Sequence, residues 1–202
     1  MTVERLAPVI HPLNMALRAA RTQGLGVNPW TMAGLKRNEV RNAAVLAGLW
    51  SPVQGGDTAI RFLNAFLRRL HDPQAVLPTV KEIAAGYTVR TECCPEGDSR
   101  DRVDLVIETV HHVLGIEVKI GAGEGLGQLD RYVAAVTNNA AGRCKRPVVI
   151  LLAPFPPSRP DVLRATWSTV RTAATAAVPR RRADYEFTDY LVAAFGRHVA
   201  RF

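Results

Sequence analysis

Cysteine is scarce in this chain: Cys93 and Cys94 are adjacent and Cys144 stands alone. That spacing provides neither a disulfide framework nor a zinc site, and it suits ordinary reduced thiols. Long apolar runs are missing too. The longest, Val148 to Ala153, is far too short to span a bilayer. The opening residues, MTVERLAPVI, lack the basic stretch and apolar core of a secretory leader, so a cytoplasmic protein is expected. The five histidines fall into no HExxH or other metal-ligand spacing. There is no GK[ST] phosphate loop and no serine nucleophile elbow. Internal repeats and low-complexity linkers are absent. Lysine is rare as well: only Lys36, Lys81, Lys119 and Lys145 occur, and every other cation is arginine. A chain that answers most needs for positive charge with arginine makes each lysine informative.

What is present suffices for a packed domain. The chain has 202 residues, 48% of them hydrophobic and 22% charged, which argues for one domain with a small helical elaboration rather than disorder. The net charge of +8 favours an anionic partner, nucleic acid being the commonest. Residues 1–37 read as a helical or irregular lead-in with one helix from about Asn14 to Thr22, and residues 38–202 as the main domain. Helical spacing starts at Asn38, a potential N-cap, and continues through NEVRNAAVLAGLW. SPVQGGD breaks it, and AIRFLNAFLRRL forms a second helix. After the break HDPQAVLP come three strands: YTVRTE, RVDLVIETV and HVLGIEVKI, the last two close enough to form a hairpin. GAGEGLG reads as a hinge, QLDRYVAAVTNNA as a helix, PVVILLA as a strand buried on both faces, and DVLRATWSTVRTAATAA and FTDYLVAAFGRHVARF as closing helices. The fold class is therefore α/β, a mixed sheet flanked by helices.

Within the hairpin, period-two alternation sets Val103, Leu105 and Ile107 on one face of the first strand and Asp104, Val106 and Glu108 on the other. On the second strand Leu114, Ile116, Val118 and Ile120 point one way, Val113, Gly115, Glu117 and Lys119 the opposite way. Glu117 and Lys119 thus share a face, which Asp104 joins with suitable register. Two carboxylates so close repel unless one keeps a proton or a cation intervenes. Magnesium fits: it binds through one or two carboxylates, keeps open positions, acidifies water and neutralises phosphate charge. Lysine can hold that water or the developing charge. The ordinary meaning of Glu-x-Lys in a strand is a cross-strand ion pair; Asp104 one hairpin earlier sharpens the signal.

The order Asp104, Glu117-Val118-Lys119, then Gln128 and Tyr132 four residues apart on a helix, resembles the D…ExK…QxxxY site of the PD-(D/E)XK nuclease superfamily. The likeness covers roughly residues 38–170. NEVRNAAVLAGLWSP is similar to the first-helix motif of an uncharacterised bacterial and phage branch, with Glu39 on its acidic position; Glu92 matches a recurrent acidic position, and Trp167 fits the branch's late helix as a core residue. Val103 replaces the usual proline, Asn42-Ala43 stand where the branch has His-Ser, and Gly55 where it has a histidine.

The resemblance implies a restriction-endonuclease-like αβββαβ core and a metal-dependent nuclease acting on nucleic acid, DNA foremost, with Mg2+ (Mn2+ able to substitute) as cofactor. It implies catalytic roles for Asp104, Glu117, Lys119, Gln128 and Tyr132, with the metal held by Asp104, Glu117, the Val118 carbonyl and Glu39. Such domains serve phage defence, restriction, repair or mobile elements, often with a protein partner or as homo-oligomers. Arg180, Arg181 and Arg182 offer phosphate contacts, a solvated basic turn being the alternative. A second reading is a nuclease-fold module that binds nucleic acid or assembles with a partner without turnover.

Overall fold

The computed structural model describes residues 7–22, 27–74, 76–93, 103–121, 123, 125 and 127–202. Its order is α1 (Ala7–Thr22), α2 (Pro29–Met32), α3 (Glu39–Trp50), α4 (Pro52–Leu67), α5 (Val80–Ala85), β1 (Thr88–Cys93), β2 (Val103–Glu108), β3 (His112–Val118), α6 (Gln128–Ala141), β4 (Arg146–Leu152), β5 (Leu163–Ala165), α7 (Trp167–Ala177), a 3-10 turn at Arg182–Asp184, and α8 (Phe187–Val199). The five strands form one mixed sheet in sequence order. β1, β2 and β3 run antiparallel, whereas β3, β4 and β5 are parallel. The β3–β4 step needs a crossover, which α6 supplies.

The sheet is covered on both faces. Leu105 and Ile107 of β2, with Leu114, Ile116 and Val118 of β3 and its extension to Ile120, pack into the larger core with α3, α4, α7 and α8. Val106, Val113, Val149 and Leu151 face the other way, onto Leu129, Tyr132, Val136 and Ala140 of α6. The hairpin alternation read from the sequence is therefore the observed one. Every residue of the central strand β3 is buried. Among the described residues no helix is long and apolar enough to cross a membrane.

Several elements differ from expectation. α1 begins at Ala7, not near Asn14, and carries Pro12 inside it, at the cost of a backbone hydrogen bond. SPVQGGD does end α3, whose C-cap is Ser51, but the next helix starts at once within it: Pro52 takes the first helical position of α4, where its missing N–H costs nothing. Gly56 kinks that helix, adopting φ 54° and ψ −142°. The six-residue α5 was unforeseen; Thr79 caps it by accepting from the N–H of Glu82, and buried Ile83 pins it. The stretch expected as one helix over 161–177 divides at Thr166. Leu163–Ala165 joins the edge of the sheet as β5, and a capping box between Thr166 and Thr169 starts α7. Three residues are too few to show a strand's alternation.

Candidate active site

The β2–β3 register pairs Leu105 with Ile116 and Val106 with Gly115. One step further, it sets Asp104 opposite Glu117, both on the α6 face. Asp104 Oδ2 accepts the N–H of Val118 at 2.9 Å. Glu117 is 4% exposed. Its Oε1 receives Lys119 Nζ at 2.8 Å and Gln128 Nε2 at 2.8 Å. Gln128 is the first residue of α6, delivered by Gly127 in the left-handed conformation at φ 64°, which glycine adopts without strain. The other end of the Gln128 amide accepts the Gly125 N–H, which holds the side chain in this orientation.

The electrostatics follow from burial. Desolvation first, and then the charge of Asp104, push the Glu117 carboxyl up to about 7, against the pull of Lys119; a hydrogen bond between the two carboxyl groups adds to the rise. Burial works against the charge on Lys119, but Glu117, Asp104 and Glu39 outweigh it and raise its pKa, so the ammonium is retained.

The strand end carrying Lys119 is clamped from four directions. Lys119 N–H donates to Leu152 O at 2.9 Å, and its carbonyl accepts Trp167 Nε1–H at 2.9 Å. Glu39 Oε1 accepts the N–H groups of Ile120 at 2.6 Å and Gly121 at 3.3 Å. Arg37 Nη2 donates to Ile120 O at 2.9 Å. Glu39 arrives there because Asn38 caps α3, its side chain accepting the Arg41 N–H at 2.9 Å. Nothing in the sequence marked Arg37, and Trp167 was legible only as a core residue, since a bond to a main-chain carbonyl has no motif.

Tyr132 lies one turn beyond Gln128, buried on Gly115. A Cβ on Gly115 would stand 3.1 Å from Tyr132 Cε1 and 2.3 Å from Val136 Cγ2, so α6 docks on a strand position that tolerates no side chain. Asn42 is buried: its amide donates to Lys36 O at 3.1 Å and Asn38 O at 2.8 Å, and its Oδ1 meets His198 Nε2 at 3.2 Å. Gly55 has no room for a larger residue, its Cβ position being 2.8 Å from Ala59 Cβ. Arg180 lines a groove between α7 and α8, Arg181 is exposed, and the Arg182 guanidinium sits 5.5 Å from the Tyr190 ring centroid. The side chains of Glu92, Cys93 and Cys94 lie outside the described residues, as does Glu124.

A hard divalent cation suits this donor set. Two carboxyls face each other across the strands, Glu117 buried, with the Lys119 ammonium on Glu117 as the counter-charge beside them. Asp104, Glu117 and the Val118 carbonyl could hold such an ion. Among the described residues no three His, Cys, Asp or Glu side chains gather into one cluster.

The model of one protein family, the PD-(D/E)XK nuclease superfamily, matches residues 27–177, from just before α2 to the end of α7. No curated protein and no solved structure matches the chain.

Proposed function

Since the chain belongs to the PD-(D/E)XK nuclease superfamily, we propose that it is a divalent-cation-dependent deoxyribonuclease that hydrolyses phosphodiester bonds at the Asp104–Glu117–Lys119 cluster. The observation that carries this reading is buried Glu117, which faces Asp104 and accepts from both Lys119 and Gln128.

Asp104, Glu117 and the Val118 carbonyl would hold magnesium or manganese. The ion supplies Lewis acidity and neutralises charge on the phosphate. Lys119 keeps its proton, so its role is electrostatic: it orients the attacking water and faces negative charge building on the phosphate oxygens. Gln128 fixes the Glu117 oxygen it contacts, and Tyr132 fixes α6 by packing on Gly115. Glu39 holds the backbone at Ile120 and Gly121, which sets the height of Lys119 in the site. A fixed ammonium beside a buried carboxyl needs little reorganisation during the reaction, which is where electrostatic catalysis is effective.

The test is digestion of supercoiled plasmid, linear duplex and single-stranded DNA with magnesium, manganese or EDTA, with Lys119→Ala alongside. Metal-dependent cleavage abolished in Lys119→Ala is the expected result. Binding of DNA by both proteins with no cleavage of any form would overturn the catalytic reading in favour of a binding module.

A further inference from the structure

Across the sheet from the cluster, on the α7–α8 side, runs a second feature that the chemistry above does not use. Arg171 and Thr175 lie one turn apart on α7, with Val178 just past its end; Ala193, Gly196 and Arg197 share a stripe of α8, with Ala200 at its C-cap. These two stripes, with Arg180 and Tyr185 from the connection, enclose a groove of about 660 Å³. Its floor is low because the helices touch there: a Cβ on Gly196 would lie 3.0 Å from Ala174 Cβ and 3.5 Å from Arg171 O. No acidic residue lines it.

Some of the fold's other cations are paired. Arg61 pairs with Asp189, Arg159 with Asp130 and Asp161, and Glu108 gathers Arg90, Arg143 and Lys145. Among the described residues, Arg171, Arg180 and Arg197 meet no carboxylate at ion-pair distance. Burial, and then the neighbouring Arg182, make the charge on Arg197 costly and lower its pKa. Among the described residues, none supplies a counter-charge to this groove of arginine walls and small-residue floor.

Its position gives that charge a purpose. Trp167, which holds the Lys119 carbonyl, precedes Arg171 by one helical turn, about 6 Å of rise. At the same end Phe202, just past α8, packs edge-on against Trp167 with ring centroids 5.1 Å apart. The groove therefore runs along α7, on the sheet face opposite the Lys119 side chain, from the end where Trp167 holds the Lys119 main chain towards Arg180 and Tyr185. Tyr185 stacks edge-on with Tyr190 at 5.2 Å, so an aromatic surface stands at the far end.

We infer that the α7–α8 groove holds the phosphates of one unpaired nucleic-acid strand, gripped by Arg171, Arg180 and Arg197, with Tyr185 as a platform for a base. The identity of the ligand rests on the nuclease reading. Arginines spaced along a channel with an interleaved aromatic are how single strands are held without sequence preference.

The experiment is fluorescence anisotropy of a labelled single-stranded oligonucleotide, in EDTA so that no cleavage intervenes, over a series of KCl concentrations. The proteins are wild type, Arg171→Ala/Arg197→Ala, Arg171→Lys/Arg197→Lys, Lys119→Ala, and Arg146→Ala as an exposed arginine at the start of β4. The double alanine variant is expected to bind about tenfold more weakly and to lose about 1.4 from the slope of log K against log salt, roughly 0.7 per phosphate contact. The double lysine variant should regain most of that slope, which shows that the fold is intact. An unchanged affinity and slope, or an equal loss in Arg146→Ala, overturns the groove. So does displacement of the strand by orthophosphate beyond the effect of KCl at equal ionic strength, which would mark a small phosphate ligand. Displacement by polyglutamate as efficient as by unlabelled oligonucleotide would point to an acidic protein and overturn it as well. Binding retained by Lys119→Ala, with its cleavage measured separately, keeps failure of the groove distinct from failure of the active site.

Discussion

Trp167 donates its indole N–H to the main-chain carbonyl of Lys119 at 2.9 Å, across 48 residues of sequence. The first helix after the sheet thereby holds the residue that carries the site's ammonium. Trp167→Phe keeps the packing but leaves that carbonyl without its donor, at a cost of about 1–3 kcal/mol. Cleavage should fall at saturating substrate with little change in KM, because the defect lies in the placement of Lys119. Steady-state cleavage rates checks this, and an unchanged kcat would remove Trp167 from the positioning set.

Asp104 and Glu117 should respond to cations as a pair. Magnesium or manganese is expected to raise the melting temperature of the wild-type protein, since a ligand that binds only the native state at 100 times its Kd stabilises by about 2.7 kcal/mol. The rise should vanish in Asp104→Asn and in Glu117→Gln, variants that preserve shape and remove charge. Differential scanning fluorimetry with and without EDTA reads it, and a rise retained in both variants would place the ion elsewhere.

Gly115 should not accept a methyl group. The added Cβ would lie 2.3 Å from Val136 Cγ2, and overpacking of this kind costs about 1–3 kcal/mol. Urea unfolding of Gly115→Ala should show that loss, and Val136→Ala in the same chain should restore part of it. If the second substitution only adds to the damage, the contact is not the cause.

At the opposite end of β3, Glu82 ties α5 to the sheet. Its carboxylate accepts His112 Nδ1 at 2.8 Å, the His111 N–H at 3.0 Å and the Thr109 hydroxyl. Burial opposes its ionisation, but those bonds outweigh it and hold its pKa below the ordinary value. A carboxyl that ionises more readily when folded contributes stability above its unfolded pKa of about 4.3 and loses it as pH falls through the folded value. The gap in urea midpoint between wild type and Glu82→Gln should therefore be full at pH 7 and close as pH drops below about 4.3. A gap constant with pH would show that the interaction does not depend on charge.

Much of the site was legible from sequence because strands and helices have short periods. Alternation alone put Glu117 and Lys119 on one face and left Asp104 to join it if the register suited, and a four-residue spacing put Gln128 and Tyr132 on one helix face. β5 and α5 were not legible, since three and six residues are too short for a period to show.

The sequence by itself determined the local pattern: which side chains share a strand face, where α3 and α6 begin, and that a rare lysine stands two residues after a buried acid. Only the tertiary structure decided what that pattern meets. Register brought Asp104 to Glu117, burial raised the Glu117 carboxyl to about 7, and Arg37 and Glu39 at the start of α3 closed on the strand end together with Trp167 at the start of α7. Those contacts run between backbone groups and side chains far apart in the chain. Their energy depends on distance and desolvation, which no spacing along one segment records.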